Sequence, residues 1–261
     1  MDALMTATKR LQSEQQFHDA QAADRAGRFA DLASLRFRDA DYLDHESWIR
    51  PAFDMLGDLG DVAGKRVLDY GCGHGMAAVV LARRGASVAG IDVSKGYLEE
   101  ARRRATANEV VAEFIQADAE MLPFPDASFD AIWGSAILHH LDIQRAGREI
   151  KRILKPGGMA VFCEPWRGNP VLDFARRHLP YPGKHRTADE QPLNAIDLEH
   201  LHGLFPSVRV HGYQFLGMGL RVFRRQAQPN GWLDRMDRRI FHVCPGLENW
   251  SRYVVIRVRT E

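Results

Sequence analysis

The stretch Val67-Leu68-Asp69-Tyr70-Gly71-Cys72-Gly73-His74-Gly75 decides the fold. An apolar run passes into glycines at alternate positions, and a helical pattern begins at Met76. Glycine lets the backbone turn sharply and lets a ligand approach where a Cβ would block it. The stretch therefore predicts a strand, a tight turn and a helix, with a ligand on the turn. A tight turn without a ligand is the alternative.

The glycine spacing also bears on the kind of ligand. A dinucleotide fingerprint places its third glycine three residues after the second, so that a helix N-terminus meets a pyrophosphate. That position is Met76. The spacing favours a ligand that needs close backbone contact but carries no pyrophosphate.

Around this stretch, β-branched runs alternate with helical stretches. The predicted strands cover 66–69, 87–91, 112–115, 129–133 and 159–163, and the predicted helices cover 76–84, 95–107 and 143–154. This alternation is typical of a parallel, doubly wound α/β sheet. Two later β-rich runs, 208–215 and 253–258, would complete the sheet edge, with 216–251 inserted between them. Residues 1–50 predict one or two helices, and Trp232 to Phe241 predicts an amphipathic helix.

Acidic residues follow the second and third strands. Asp92 can accept two hydrogen bonds from a ribose diol, or it can stabilise the start of the next helix. Asp118 can reach an adenine amine, or it can form a turn. Because the carboxyl ends of parallel strands share one sheet edge, we expect both near Gly73.

The ordered motifs resemble the class I S-adenosylmethionine (SAM)-dependent methyltransferases, closest to the branch that includes ubiquinone and menaquinone biosynthesis enzymes. The motifs are Asp69-x-Gly-x-Gly-x-Gly, Asp92, Asp118, Leu122-Pro123-Phe124-Pro125-Asp126 before Ser128-Phe129-Asp130, and Leu154-Lys155-Pro156-Gly157-Gly158. The resemblance covers about residues 62–165. It implies a Rossmann-like sheet of seven strands in the order 3-2-1-4-5-7-6, with strand 7 antiparallel. It also implies one domain over 1–261, with a helical lid at 1–50, a cofactor core at 62–165 and substrate-cap segments plus the sheet edge at 166–261.

By this resemblance the cofactor is SAM. Asp69, Gly71 and Gly73 would border its methionine part, Asp92 would hold the ribose, and Asp118 with the Ala119 backbone would hold the adenine. Gly75 and Ser135 complete the expected cofactor-binding set.

Candidates for a catalytic base follow strands four and five. One of the adjacent residues His139 and His140 should face the cofactor methyl, although both could instead be structural. Glu164 ends the fifth strand at the same sheet edge and is the first candidate, with a salt bridge to Arg167 as the alternative.

Substrate recognition should lie outside the core. The basic stretch Arg176 to Thr187 could form a lid over an acidic substrate, but solvated surface charge is the preferred interpretation. Trp166 and Tyr181 could stack on a flat substrate or serve as packing anchors. From Leu216 to Glu261 there are 9 Arg and 4 acids, which admits contact with a membrane surface. Packing over the cavity is preferred.

The composition limits the partners. With 35 Lys+Arg against 34 Asp+Glu there is no overall reason to expect nucleic acid. The three cysteines, Cys72, Cys163 and Cys244, are widely spaced, which predicts a reducing, cytoplasmic setting without a zinc site. No metal-ligand pattern is visible, and the oligomeric state is open.

Together these patterns predict a methyltransferase that acts on oxygen or carbon of a small, largely apolar acceptor, such as an aromatic, quinone-like or isoprenoid compound. A nicotinamide-dependent oxidoreductase and a non-catalytic SAM-binding module are the alternatives.

Overall fold

A computed structural model describes residues 2–27, 29, 31–58, 61–178, 191–218 and 231–261. Most of the basic stretch Arg176 to Thr187, including Tyr181, lies outside the described residues. The same holds for Leu220, Val222 and Phe223 in the insertion.

A seven-stranded sheet organises the protein. Its strands are β1 (Arg66–Tyr70), β2 (Ser87–Asp92), β3 (Glu113–Gln116), β4 (Phe129–Ser135), β5 (Leu154–Pro165), β6 (Ser207–Tyr213) and β7 (Tyr253–Arg259). The spatial order is β3-β2-β1-β4-β5-β7-β6. Strands β1 to β5 are parallel, and β7 runs antiparallel to both β5 and β6. The predicted sheet order and fold class are confirmed.

In the described ranges, helices lie within a few residues of the four ranges predicted individually, two more lie in the stretch 1–50 that was expected to hold one or two, and three others were not predicted. The helices are α1 (Asp2–Ala26), α2 (Asp39–Leu43), α3 (Ile49–Met55), α4 (Met76–Arg83), α5 (Lys95–Ala107), α6 (Ile143–Ile153), α7 (Pro170–His178), α8 (Ala195–Leu204) and α9 (Gly231–Val243). Short side chains fix where they begin. Ser94 Oγ accepts the Tyr97 N–H at the start of α5, and Asp142 accepts the Gln144 and Arg145 N–H groups at the start of α6.

Helices cover both faces of the central strands, and side chains alternate between the two faces along each strand. Val67, Trp133 and Val161 pack on the face that α3 and α4 cover. Leu68, Ile132 and Ala160 pack on the other face with α6 and α8. Strands buried on two faces are largely apolar, which is why they stand out in the sequence.

The fifth strand begins earlier than predicted. Residues Leu154 to Gly158 belong to β5, and the register with β4 shifts between Phe129 and Ala131. Gly157 has a φ of +72°, a left-handed conformation that glycine adopts without strain. The Lys155 ammonium lies 2.8 Å from Asp130 Oδ2 and ties this irregular start to β4.

The first helix is long, but its sequence is polar. Among the helices of the described ranges, none combines the length and apolar character needed to cross a bilayer.

Candidate functional site

A cavity of about 780 Å³ opens at the carboxyl ends of β1 to β4. Seven of the eight predicted cofactor-binding residues line it: Asp69, Gly71, Gly73, Asp92, Asp118, Ala119 and Ser135. Gly75 is not among its lining residues, because a Cβ there would meet Ala101 Cβ at 2.8 Å rather than the cavity. The structure thus brings the three strand ends together at one site.

The glycine turn leaves its backbone open to the cavity. Gly73 has a φ of +48°, and a Cβ built there meets nothing within 4 Å. By contrast, a Cβ on Gly71 would lie 2.7 Å from the Ile137 side chain. Gly71 permits close packing below the cavity, while Gly73 leaves room for a ligand against the main chain.

Asp92 joins two loops of the cavity floor. Its Oδ2 accepts the Gly73 N–H at 2.8 Å, and its Oδ1 accepts the Ser94 N–H at 2.8 Å. Burial raises the pKa of Asp92, while these two backbone donors oppose the rise. Each oxygen keeps a lone pair, so the carboxylate can also accept from a diol.

The loop after β3 is held by two hydrogen bonds. The Tyr70 hydroxyl donates to the Ala119 carbonyl at 2.6 Å, and Asp118 Oδ1 accepts the Glu120 N–H at 2.8 Å. Asp118 therefore forms the turn that was its alternative role. It also lines the cavity, so one residue combines both roles.

Asp69 is a fully buried acid with an unused acceptor. Its Oδ2 has no hydrogen-bond partner among the described residues. Burial raises the pKa of Asp69 to about 7, the Ala78 N–H lowers it, and the charge on Asp92 raises it further. A buried carboxyl with a spare oxygen suits a cationic ligand, which would restore the lost solvation.

The catalytic candidates separate into two groups. Glu164 is fully buried, and its Oε1 accepts the N–H groups of Ile137 and Leu138 at 3.0 and 2.9 Å. Its Oε2 lies 2.7 Å from His139 Nδ1. Within the described part of the chain, neither Glu164 nor His139 is among the lining residues of the cavity, whereas His140 is. The two imidazole rings lie close together, with centroids 4.2 Å apart, but only His140 reaches the cavity.

The alternatives for the loop after β5 are settled by contacts. Arg167 Nε lies 3.1 Å from Asp173 Oδ1, so its carboxylate partner is not Glu164. Trp166 is buried, and its indole N–H donates to the Asn249 carbonyl at 3.0 Å. Trp166 is a packing anchor.

Helix α1 covers the cavity, and sequence reasoning missed the residues it contributes. They are Arg10, Leu11, Glu14, His18 and Gln21. Their spacing of three or four residues marks one helix face, and this spacing is the signal that could have identified them.

Helix α1 is fastened mainly by side chains. Asp19 Oδ1 accepts the Ser94 hydroxyl at 2.6 Å and the Gly96 N–H at 3.2 Å. Arg25 donates to both oxygens of Glu100 at 2.8 and 3.1 Å, and Arg10 pairs with Glu120. These contacts place the helix across the ends of β2 and β3, over the cavity.

A further group forms where α1 meets the turn after β4. Glu14 Oε2 lies 3.5 Å from His18 Nε2 and 3.2 Å from His140 Nδ1. Burial lowers the pKa of His18, but Glu14 and Asp92 raise it, and the net shift is upward.

Residues 68–162 match the family model described as a methyltransferase domain. The demethylmenaquinone methyltransferase of Clavibacter sepedonicus is 47% identical over 120 residues, which cover 46% of this chain and 48% of the relative. The fatty-acid O-methyltransferase of Mycolicibacterium smegmatis is 36% identical over 154 residues, covering 55% of this chain and 51% of the relative. The chain spans about half the length of these relatives.

Among solved structures, the geranyl diphosphate C-methyltransferase of Streptomyces coelicolor, in complex with Mg²⁺, geranyl diphosphate and S-adenosyl-L-homocysteine, superposes with a TM-score of 0.57. The two chains are 17% identical, and the superposition covers 82% of this chain and 80% of the other. This likeness concerns the fold.

Proposed function

Since residues 68–162 match the family model described as a methyltransferase domain, we propose that this chain is a class I, SAM-dependent methyltransferase that transfers the SAM methyl group to oxygen or carbon of a small, largely apolar acceptor. One observation carries the proposal. The ends of β1, β2 and β3 present an open glycine backbone, an acid and a second acid to the same cavity.

The residues present fit the cofactor. The spare oxygen of Asp69 suits the ammonium of the methionine part, and Gly73 leaves its backbone accessible. Asp92 retains acceptor capacity for the ribose hydroxyls, and Asp118 with Ala119 lies beside it for the adenine. When bound, SAM would supply an activated methyl group, and the protein would align the acceptor, exclude water and accept the proton that the acceptor loses.

The cavity wall supports an apolar acceptor. Beyond the cofactor positions it is formed largely by apolar and aromatic side chains, including Leu11, Tyr42, Met76, Trp133, Ile137 and Leu141. The Tyr42 hydroxyl is fixed because it accepts the Trp133 indole N–H at 3.0 Å. The quinone and fatty-acid acceptors in the names of the two relatives are of this apolar class.

Among the three catalytic candidates, we assign contact with the acceptor to His140, because its side chain lines the cavity. Glu164 and His139 are positioning residues. Glu164 accepts two N–H groups of the turn that carries both histidines, and it fixes the tautomer and orientation of His139 through Nδ1.

Calorimetric titration with SAM, S-adenosylhomocysteine and NAD tests the cofactor assignment. We expect heat with the first two ligands and none with NAD. Tight NAD binding without SAM binding would instead establish the oxidoreductase alternative.

Transfer itself is tested with labelled methyl-SAM and a panel of quinols, phenols, fatty acids and isoprenoids. Incorporation into an apolar acceptor is the expected result. SAM binding without incorporation into any compound of the panel or of a metabolite extract would support the binding-module alternative.

A further inference from the structure

We propose that Glu14, His18 and His140 bind a divalent transition-metal ion, with Zn²⁺ as the best match, between α1 and the turn after β4. The ligand atoms of the three residues all lie within 4.8 Å of one another. No sequence motif marks this site, because two ligands lie on α1 and the third follows β4.

The distances match a metal site. In a tetrahedral zinc site, ligand atoms about 2.0–2.1 Å from the ion lie about 3.3 Å from each other. Glu14 Oε2 is 3.2 Å from His140 Nδ1 and 3.5 Å from His18 Nε2. His140 Nδ1 is buried and makes no hydrogen bond with any described residue, despite the nearby carboxylate. The ring nitrogen and the carboxylate oxygen therefore face each other without a hydrogen bond. Two ligands of one metal ion face each other in this way.

The types of ligand select the metal. Two imidazoles and one carboxylate are typical of zinc and other late first-row ions, whereas Mg²⁺ prefers oxygen ligands and water. Glu14 and His18 are four residues apart on α1, so both side chains lie on the helix face that covers the cavity. Three protein ligands leave a coordination position for water or for an oxygen of the acceptor.

The site would connect α1 to the cavity floor. The other contacts of α1 are with residues after β2 and β3: Asp19 contacts Ser94, and Arg10 contacts Glu120. A metal at Glu14, His18 and His140 would add an attachment on the β4 side, where His140 faces the cavity. The metal site stands on these contacts alone. Only the role of its open position in holding an acceptor oxygen rests on the proposed methyl transfer.

The test is calorimetric titration of the metal-stripped full-length chain with Zn²⁺, followed by hydrogen exchange of α1. We expect binding at one ion per chain and slower exchange of the α1 amides when Zn²⁺ is present. His18→Ala and Glu14→Gln should each weaken Zn²⁺ binding by about 100-fold or more, since loss of a supporting group alone costs 10–100-fold. Each should also abolish the slowing of exchange.

His202→Ala removes an exposed histidine on α8, and Gln16→Ala changes an exposed position on α1, so both serve as matched controls with unchanged affinity. The metal-free melting temperature of each variant shows whether it has folded. Zn²⁺ affinity that is equal in the wild type, His18→Ala and Glu14→Gln would overturn the proposal, and so would Mg²⁺ affinity equal to that for Zn²⁺. SAM titration of the metal-free chain keeps the outcomes separate, because loss of SAM binding affects only the proposed function.

Discussion

The cavity has a floor, formed by the carboxyl ends of β1 to β5 and the turns that follow them, and a lid, which is helix α1. The two are held by different kinds of contact. In the floor, carboxylates accept main-chain N–H groups, as the partly buried Asp92 does from Gly73 and the fully buried Glu164 does from Ile137 and Leu138. In the lid, α1 is held mainly by side chains, such as Arg25 with Glu100 and Asp19 with Ser94. Side-chain contacts near solvent contribute less free energy, so the floor should be preformed while α1 opens to exchange the ligand.

The largest effect on turnover should come from changing Glu164, which holds the turn that carries His139 and His140. We expect Glu164→Gln to lower turnover by about 10²-fold or more while SAM affinity stays nearly unchanged, because the change alters the orientation of His139 and its neighbour His140. Steady-state kinetics with SAM titration measures both quantities.

Glu149→Gln is the matched control, since Glu149 also accepts a loop N–H, from Leu122 at 2.8 Å, but outside the cavity lining. If Glu164→Gln has normal turnover and His140→Ala alone abolishes it, Glu164 has no positioning role.

The next effect concerns the ribose position. Asp92→Ala should weaken SAM binding by about 1–3 kcal/mol, because it removes charge-assisted hydrogen bonds and frees the Gly73 N–H. Calorimetry measures the loss.

The control is Asp130→Ala, which removes an acid at the opposite end of the sheet that contacts Lys155 and the Arg66 N–H. Equal SAM affinity in the two variants would show that Asp92 does not contact the cofactor.

SAM binding should depend on pH because of Asp69 in the cavity floor. Burial raises the pKa of Asp69 to about 7, so the ligand-free protein holds a neutral carboxyl below that pH. A cationic ligand favours the ionised form and lowers this pKa, so binding releases a proton. SAM affinity should therefore fall about tenfold per pH unit below about pH 7 and level off above it.

Calorimetry in buffers of different ionisation enthalpy counts the released proton. Asp69→Asn should remove the pH dependence, and a wild type whose affinity is flat from about pH 5 to 7 would contradict this role of Asp69.

The smallest effect should come from the lid. Asp19→Ala removes two hydrogen bonds between α1 and α5, each of about 1 kcal/mol or less at this partly exposed position, and should speed SAM dissociation about fivefold. Stopped-flow measurement of dissociation tests this.

Asp24→Ala, an exposed change on the same helix, is the control. If Asp19→Ala weakens SAM binding more than Asp92→Ala does, the lid rather than the floor is the main source of SAM affinity.

Much of the floor was predictable because local sequence specifies it. The alternating glycines, the apolar strands and the acids at 92 and 118 are local signals, and the carboxyl ends of parallel strands necessarily share one edge. The early start of β5 was not predicted, because it depends on the pairing of Lys155 with Asp130 on the neighbouring strand.

Only the structure showed which of the two adjacent histidines lines the cavity. Sequence spacing predicted that one of His139 and His140 faces the cofactor methyl but not which one. The turn that carries both is held by Glu164 on the neighbouring strand through two N–H groups, and this is a tertiary contact.

By itself, the sequence determined the strands and helices of the core, the glycine turn and the positions of the acids, because each follows from the periodicity and conformational preference of neighbouring residues. The spatial order of the strands came from the family resemblance. The tertiary structure decided which face of α1 covers the cavity and which of its side chains meet His140. Such contacts join residues far apart in the chain, and their geometry depends on how whole elements pack.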